Sequence, residues 1–278
     1  MSIQQFIVRW LTARVTKAVK EELFSPKPGT ELVPDGGCDE ADSLIADIGF
    51  VFALPMEAAG IVDRLTDRKT TIGGGRKFYT GRLGKYRVVV VESGVGQEKA
   101  GRAAAALIDT FHPKRLISAG YSGALSAGPK RFAIRIPNVV IRESDGKCIE
   151  LQPETDVSVR LLTTDFVVAT PKRKKSLGEK HQAALVDMET FAIAECCQER
   201  GVPFRSVRIV LDTVNEALPK DVQRIMRSAE HSTARLTGSV LRSLFSRPSA
   251  LIDLYTLKER ALDASDRLAK RIFKEMGN

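Results

Sequence analysis

Apolar positions fall into two rhythms along this chain: short β-branched runs, and longer stretches where they recur every three or four residues. "IADIGFVFA" (Ile45–Ala53) is a run of the first kind and predicts a strand, followed by a helix from Met56 to about Leu65. "RKFYTGRLGKYRVVVVESG" (Arg76–Gly94) predicts two strands joined at a Gly-Lys turn. An alanine-rich helix over Gln97–Phe111 and a strand over Arg115–Gly120 come next. Further strands are expected at 131–142 and around 160–168, with a helix over 171–180. The segment "ALVDMETFAIAECCQERGVPFRSVRIVLD" (Ala184–Asp212) then supplies a strand, a helix from Met188 to Arg200 and a strand over 204–211. Strands separated by helices predict an α/β fold with a mainly parallel sheet wrapped by helices.

The flanks read differently. Ile3, Phe6, Ile7, Trp10 and Leu11 recur at helical spacing, with Gln4, Gln5, Arg9 and Lys17 on the other side, so residues 3–23 predict an amphipathic helix. Ser25–Ser43 is rich in Pro, Gly and acids and reads as a linker. At the other end, residues 247–273 show apolar positions at helical spacing with basic ones between. The expected organisation is a basic helix and linker over 1–44, a main domain over 45–245 and a helical extension over 246–278.

Charge sharpens this division. The net charge of the 278 residues is +9. Residues 1–27 carry five Lys/Arg against Glu21 and Glu22, and residues 219–278 carry twelve against seven Asp/Glu, which leaves the middle near neutral. A nucleic-acid-binding core carries its own basic face, so no nucleic-acid partner is expected. No apolar run approaches the roughly 18 residues of a membrane-spanning helix, and Arg9 and Arg14 interrupt what would be a secretory leader. Cys38, Cys148, Cys196 and Cys197 show neither metal-ligand nor disulfide spacing. A reduced, cytoplasmic setting without a metal or other cofactor is the expectation.

The chemistry lies in acids at strand ends. Ligands of open α/β sheets gather outside the carboxyl ends of the strands, where Glu57, Glu189 and Asp212 all fall. Glycine-bearing loops follow strands at 72–75, 92–101 and 118–128. None forms a dinucleotide loop, a P-loop or a nucleophile elbow. His112, His181 and His231 stand alone and read as solvated surface residues.

Taken in order, strand–"ALPME", "SGVGQEKAG", "LISAGYSGAL", "TDFVVATP", "VDMETFAIA" and "VRIVLD" resemble the purine nucleoside phosphorylase/nucleosidase superfamily, most closely its methylthioadenosine/S-adenosylhomocysteine nucleosidase branch. The likeness covers roughly residues 45–245. It implies a three-layer α/β fold, with a twisted, mostly parallel central sheet flanked by helices, and hydrolysis of the N-glycosidic bond of a purine nucleoside. By position, the resemblance makes Asp212 the acid that protonates the purine ring and Glu57 the base that activates water. Glu189, with Met188 before it, grips the ribose hydroxyls. Ser93 and Arg208 complete the polar cage around the water. Phe166 stacks on the purine, and the backbone of Val167 reads its edge.

Phosphorylases of the superfamily hold phosphate with arginines. Here the first of those loops is "ALPMEA" and the second position is Ser118, so water is the expected nucleophile. Thr190, Phe191 and Leu211 depart from the family pattern. The tail over 247–273 resembles the C-terminal helices of hopanoid-associated members, which raises an adenosylated lipid as an alternative substrate. With the N-terminal helix it also raises peripheral contact with the inner membrane surface. A nucleoside-binding protein without catalysis is the alternative of another class. The resemblance implies a homodimer.

Overall fold

The computed structural model describes residues 45–152, 157–218 and 248–276, with side chains of the last segment from residue 259. The helix and linker expected before residue 45 and His231 lie outside the described residues. The chain divides into two compact units, Met1–Glu40 and Ala41–Asn278, and the described residues all belong to the second. Its elements run β1 (Ile48–Phe52), α1 (Pro55–Val62), β2 (Thr66–Gly73), β3 (Arg76–Leu83), β4 (Tyr86–Glu92), α2 (Gln97–Phe111), β5 (Leu116–Ala124), β6 (Ile134–Arg135) and β7 (Val139–Arg142). After these come β8 (Cys148–Glu150), β9 (Arg160–Thr163), α3 (Pro171–His181), β10 (Leu185–Asp187), α4 (Thr190–Glu199), β11 (Phe204–Asp212) and α5 (Pro248–Met276).

Every residue of β1 is buried. An unbroken apolar run of this kind suits a strand covered on both faces. Ile48, Phe50 and Phe52 face one core with α1 and α5, while Val51 and the alternate residues Val89 and Val91 of β4 face a second core with α2 and α4. The result is helix, sheet, helix. α2 buries Ala100, Ala103, Ala104, Leu107, Ile108 and Phe111, one stripe at helical spacing.

The sheet order is β2-β3-β4-β1-β5-β10-β9-β7-β8, with β11 paired to β5 and β6. β4, β1, β5 and β11 are mutually parallel and form the centre. Antiparallel ladders come from the hairpins at β2–β3, β3–β4 and β7–β8, and from β10 against β5 and β6 against β11. β5 is the branch point. Its Leu116–Ser118 lie beside β1, its Gly123 and Ala124 beside β10, and β11 follows almost its whole length on β5's other side. The chain ends that matter for chemistry therefore converge over β5.

The helix expected near the C-terminus packs as α5 on this body. Ala261, Ala264, Leu268, Ala269, Ile272 and Met276 are buried, most of them in the core shared with α1. The Tyr121 hydroxyl, on β5, donates to the Ala261 carbonyl at 2.8 Å and meets Ser265 Oγ at 2.6 Å. Gly60 of α1 lets the two helices touch, since a Cβ there would come within 2.6 Å of Ala269 Cβ. No helix among the described residues is long and apolar enough to cross a membrane.

Candidate active site

A cavity of about 420 Å³ opens where β1, β5, β10 and β11 end, within the range typical of small-molecule sites. Its lining includes Glu57, Phe166, Val167, Met188, Glu189 and Asp212. Six of the eight residues expected from sequence thus share one chamber. Ser93 and Arg208 do not line it.

Glu57 enters through local helix chemistry. Pro55 presets the first turn of α1, and Glu57, two residues on, reaches back so that its Oε2 accepts the Leu54 N–H at 2.8 Å. Its Oε1 accepts the Tyr121 N–H from β5 at 2.7 Å. The side chain is 4% exposed. Burial raises its pKa above the usual carboxylate value, against the opposing pull of the two backbone donors and the Arg208 charge. Gly120 leaves room for it: a Cβ there would sit 2.7 Å from Glu57 Oε1 and 3.0 Å from Arg208 Nη1.

Glu189 stands at the N-cap of α4 but does not cap it. Its Oε1 instead accepts the Gly96 N–H from the loop before α2 at 2.9 Å, and its Oε2 accepts the Met188 N–H at 3.3 Å. Asp187 takes the capping role, with Oδ2 accepting the Thr190 N–H at 3.1 Å. Glu189 is half-buried, and its open edge faces the cavity. Depth in the protein, with the Asp187 charge beside it, pushes its pKa up to about 8.

Asp212 closes β11. Burial is the largest influence on its carboxyl and raises the pKa, while the Lys174 ammonium acts in the opposite sense. Lys174 Nζ bonds Asp212 Oδ2 directly. Gly123 on the neighbouring strand keeps space beside this carboxylate, since a Cβ there would lie 3.2 Å from Oδ2.

Phe166 offers one ring face at most, since the Arg173 guanidinium lies 3.9 Å from its centroid. The Val167 backbone N–H and C=O make no hydrogen bond among the described residues, which leaves a donor and an acceptor beside the cavity. The resemblance implies Ser93 and Arg208 in the water cage; in the structure neither lines the cavity, and Ser93 Oγ and the Nε and Nη2 groups of Arg208 have other partners. Ser93 Oγ donates to the carbonyls of Phe52 and Gly94. Arg208 is buried, with its guanidinium donating to Ser118 Oγ at 2.6 Å and Thr190 Oγ1 at 2.5 Å and pairing with Asp187 at 3.0 Å. These bonds use Nε and Nη2, while Nη1 flanks Gly120 together with Glu57 Oε1.

Of the three departures from the family pattern, Thr190 belongs to this network. Thr190 is fully buried and donates its hydroxyl to Asp187 while accepting from Arg208. Phe191 fills the core between β9, β10 and α4 and carries the Arg142 guanidinium on its ring at 4.5 Å. Leu211 lines the cavity.

Two important residues escaped the sequence reading. Asp187 precedes the Met188-Glu189 pair and looks like an ordinary strand-end acid. Lys174 lies in "PKRKK", which reads as a solvated charge run, yet it shares a helical face with Leu177 and Gly178, both buried. That shared face was the available signal. His181, expected to be solvated, is half-buried at the end of α3, and burial lowers its pKa. No group of His, Cys, Asp and Glu side chains among the described residues could hold a metal ion.

The chain has known relatives. The 5'-methylthioadenosine/S-adenosylhomocysteine nucleosidase of Exiguobacterium sp. is 26% identical over 228 residues, which span 71% of this chain and 98% of that protein. The S-adenosylhomocysteine nucleosidase of Streptococcus pyogenes, solved with 5-methylthiotubericidin, shares the fold with a TM-score of 0.65 at 19% identity, covering 84% of this chain and 97% of its own. Futalosine hydrolase of Helicobacter pylori does so with a TM-score of 0.63 at 16% identity, covering 84% and 97%. A profile of the phosphorylase superfamily matches residues 47–148 and 147–244, most of the chain, and the chain belongs to that superfamily.

Proposed function

We propose that this protein hydrolyses the N-glycosidic bond of an adenine nucleoside such as methylthioadenosine or S-adenosylhomocysteine and releases the free base. The observation that carries this reading is that Glu57, Glu189 and Asp212 face one cavity beside an aromatic ring. Asp212, whose burial raises its pKa and so favours the acid form, gives a proton to a ring nitrogen as the bond to the sugar breaks. The electron pair of that bond leaves with the purine. Glu189 holds the ribose hydroxyls and opposes the positive charge that builds on the sugar. Glu57 orients a water molecule and takes its proton as the oxygen bonds to the anomeric carbon. Phe166 presents its free face to the base, and the Val167 backbone reads its edge. Arg208 and Ser93 support this site from behind, Arg208 through its bonds to Thr190 and Ser118.

Water is favoured over phosphate because Ser118 stands buried where a phosphorylase arginine belongs, and Arg208 already gives its Nε and Nη2 groups to Thr190 and Ser118. An adenosylated lipid finds no support among these relatives, and the helix that suggested it buries Ala261, Ala264, Leu268 and Ile272. Retention of all three acids argues against a protein that only binds. The homodimer implied by the resemblance and a peripheral membrane contact belong to the proposal as well. Light scattering tests the first, and liposome sedimentation with and without residues 1–44 tests the second. For the activity, adenine release is followed by absorbance on a panel of adenine, inosine and lipid-linked nucleosides, with and without phosphate. Turnover of methylthioadenosine without phosphate supports the reading, and turnover only with phosphate overturns it.

A further inference from the structure

Lys174 reaches from the first turns of α3 to the end of β11, with no exposed surface. Its ammonium bonds Asp212 Oδ2, the Thr213 carbonyl at 2.8 Å and the Glu216 carbonyl at 2.7 Å. An ammonium has three N–H donors, so every one is committed. The turn that supplies the two carbonyls is itself fixed. Glu216 Oε2 accepts the Thr213 N–H at 2.8 Å and its hydroxyl at 3.0 Å, and Glu216 Oε1 pairs with Arg131. Asp212 Oδ1 accepts no hydrogen bond among the described residues. One carboxyl oxygen is thus held by a buried cation and the other is left for a ligand.

Burying an ammonium is costly unless its charge is matched. The helix carries Lys172, Arg173 and Lys175 on its exposed side, and of these four cations Lys174 alone turns inward, onto an acid that lines the cavity. We infer that Lys174 is a positioning residue of the reaction, holding Asp212 by one oxygen and neutralising the carboxylate left when the other gives its proton to the purine. This rests on the function proposed above. The balance is simple. The Oδ1–H bond breaks, the proton bonds to the ring nitrogen, and the buried pair passes from carboxylic acid plus ammonium to carboxylate plus ammonium. The product state is a neutral ion pair, so proton transfer is favoured where an isolated buried carboxylate would be disfavoured. Arg131, the other cation acting on Asp212, is shared with Glu216, which leaves Lys174 as the charge in contact.

The test is a pH profile of kcat and KM for methylthioadenosine on the full chain, with K174M, K174Q and K174R beside the wild type. K174M removes the charge at similar volume. Its kcat is expected to fall on the order of 10²-fold, the lower end of what general acid catalysis supplies, with KM changing less than about threefold. Without the ammonium the Asp212 proton is held more tightly, so the alkaline limb of kcat/KM moves to higher pH. A role limited to packing lowers the amount of active protein and leaves that limb in place. K174R, which keeps the charge, is expected to recover at least part of kcat and the wild-type limb. K174Q serves if K174M does not fold, as judged by circular dichroism. Wild-type kcat in a folded K174M or K174Q, or a lowered kcat with an unmoved limb, overturns the role of Lys174. Failure of the wild type to release adenine overturns the proposed function instead.

Discussion

Replacing Glu189 with glutamine tests the electrostatics of the cavity through stability as well as rate. The folded-state pKa of about 8 lies above the ordinary value of 4.5. Folding therefore favours the protonated acid. The stability this contributes is fully present below about pH 4.5 and is lost as pH rises towards 8. At pH 7 the folded chain still holds this proton while the unfolded chain has lost it, which costs at most about 3 kcal/mol, from roughly 1.4 kcal/mol per pH unit. Water in the cavity screens part of this. E189Q keeps an oxygen for the Gly96 N–H but loses the long bond from Met188, about 1 kcal/mol. The net expectation at pH 7–8 is a gain of about 1–2 kcal/mol, or roughly 2–8 °C in Tm for a body of this size. The gain shrinks as the pH falls, and near pH 4.5 only the lost Met188 bond remains, leaving the variant about 1 kcal/mol less stable. At pH 8 kcat/KM is expected to fall by about 10²–10³, because glutamine cannot ionise opposite the ribosyl cation. Thermal unfolding of both proteins at several values between pH 5 and 8, with adenine release measured in parallel, decides the matter. A variant less stable than wild type at pH 8, or a difference that ignores pH, would refute the reasoning.

Two further substitutions probe neighbouring contacts. D212N leaves the Lys174 ammonium buried without its counter-charge, so urea unfolding should show a loss of about 3–5 kcal/mol, and adding K174M should restore much of it. G120A places a methyl group 2.7 Å from Glu57 Oε1, so the carboxylate must move. Adenine release is expected to drop by about 10–100-fold with a stability loss of about 1–3 kcal/mol.

Much of the fold is legible because burial writes it into the sequence. The unbroken run of β1, the alanine stripe of α2 and the β-branched run of β11 are elements whose packing faces leave little choice. β2 was missed because all of its residues are exposed, with Ile72 at 71%. A hairpin strand with no buried face carries no period-two signal. β8, three residues long, lacks length for any pattern. The antiparallel pairing of β10 with β5 depends on how β5 branches, which no local rhythm records.

The site divides in the same way. Glu57, Glu189 and Asp212 stand out because an acid at the end of a buried strand conflicts with its surroundings. Arg208 sits in the middle of β11, and its neighbours in sequence do not reveal whether the guanidinium turns to the cavity or to Asp187, Thr190 and Ser118. The partners come from β10, α4 and β5, so only the folded arrangement decides. Lys174 hides for the opposite reason, as one cation in a run of four.

In the proposed reaction a single pocket seats base and ribose between these acids, and a crystal structure with an uncleavable methylthioadenosine analogue tests that arrangement most directly. The ribose hydroxyls are expected on Glu189, a purine ring nitrogen within hydrogen-bond distance of Asp212 Oδ1 and the anomeric carbon turned towards Glu57. An analogue bound with its sugar away from Glu189, or its base out of reach of Asp212, would contradict it.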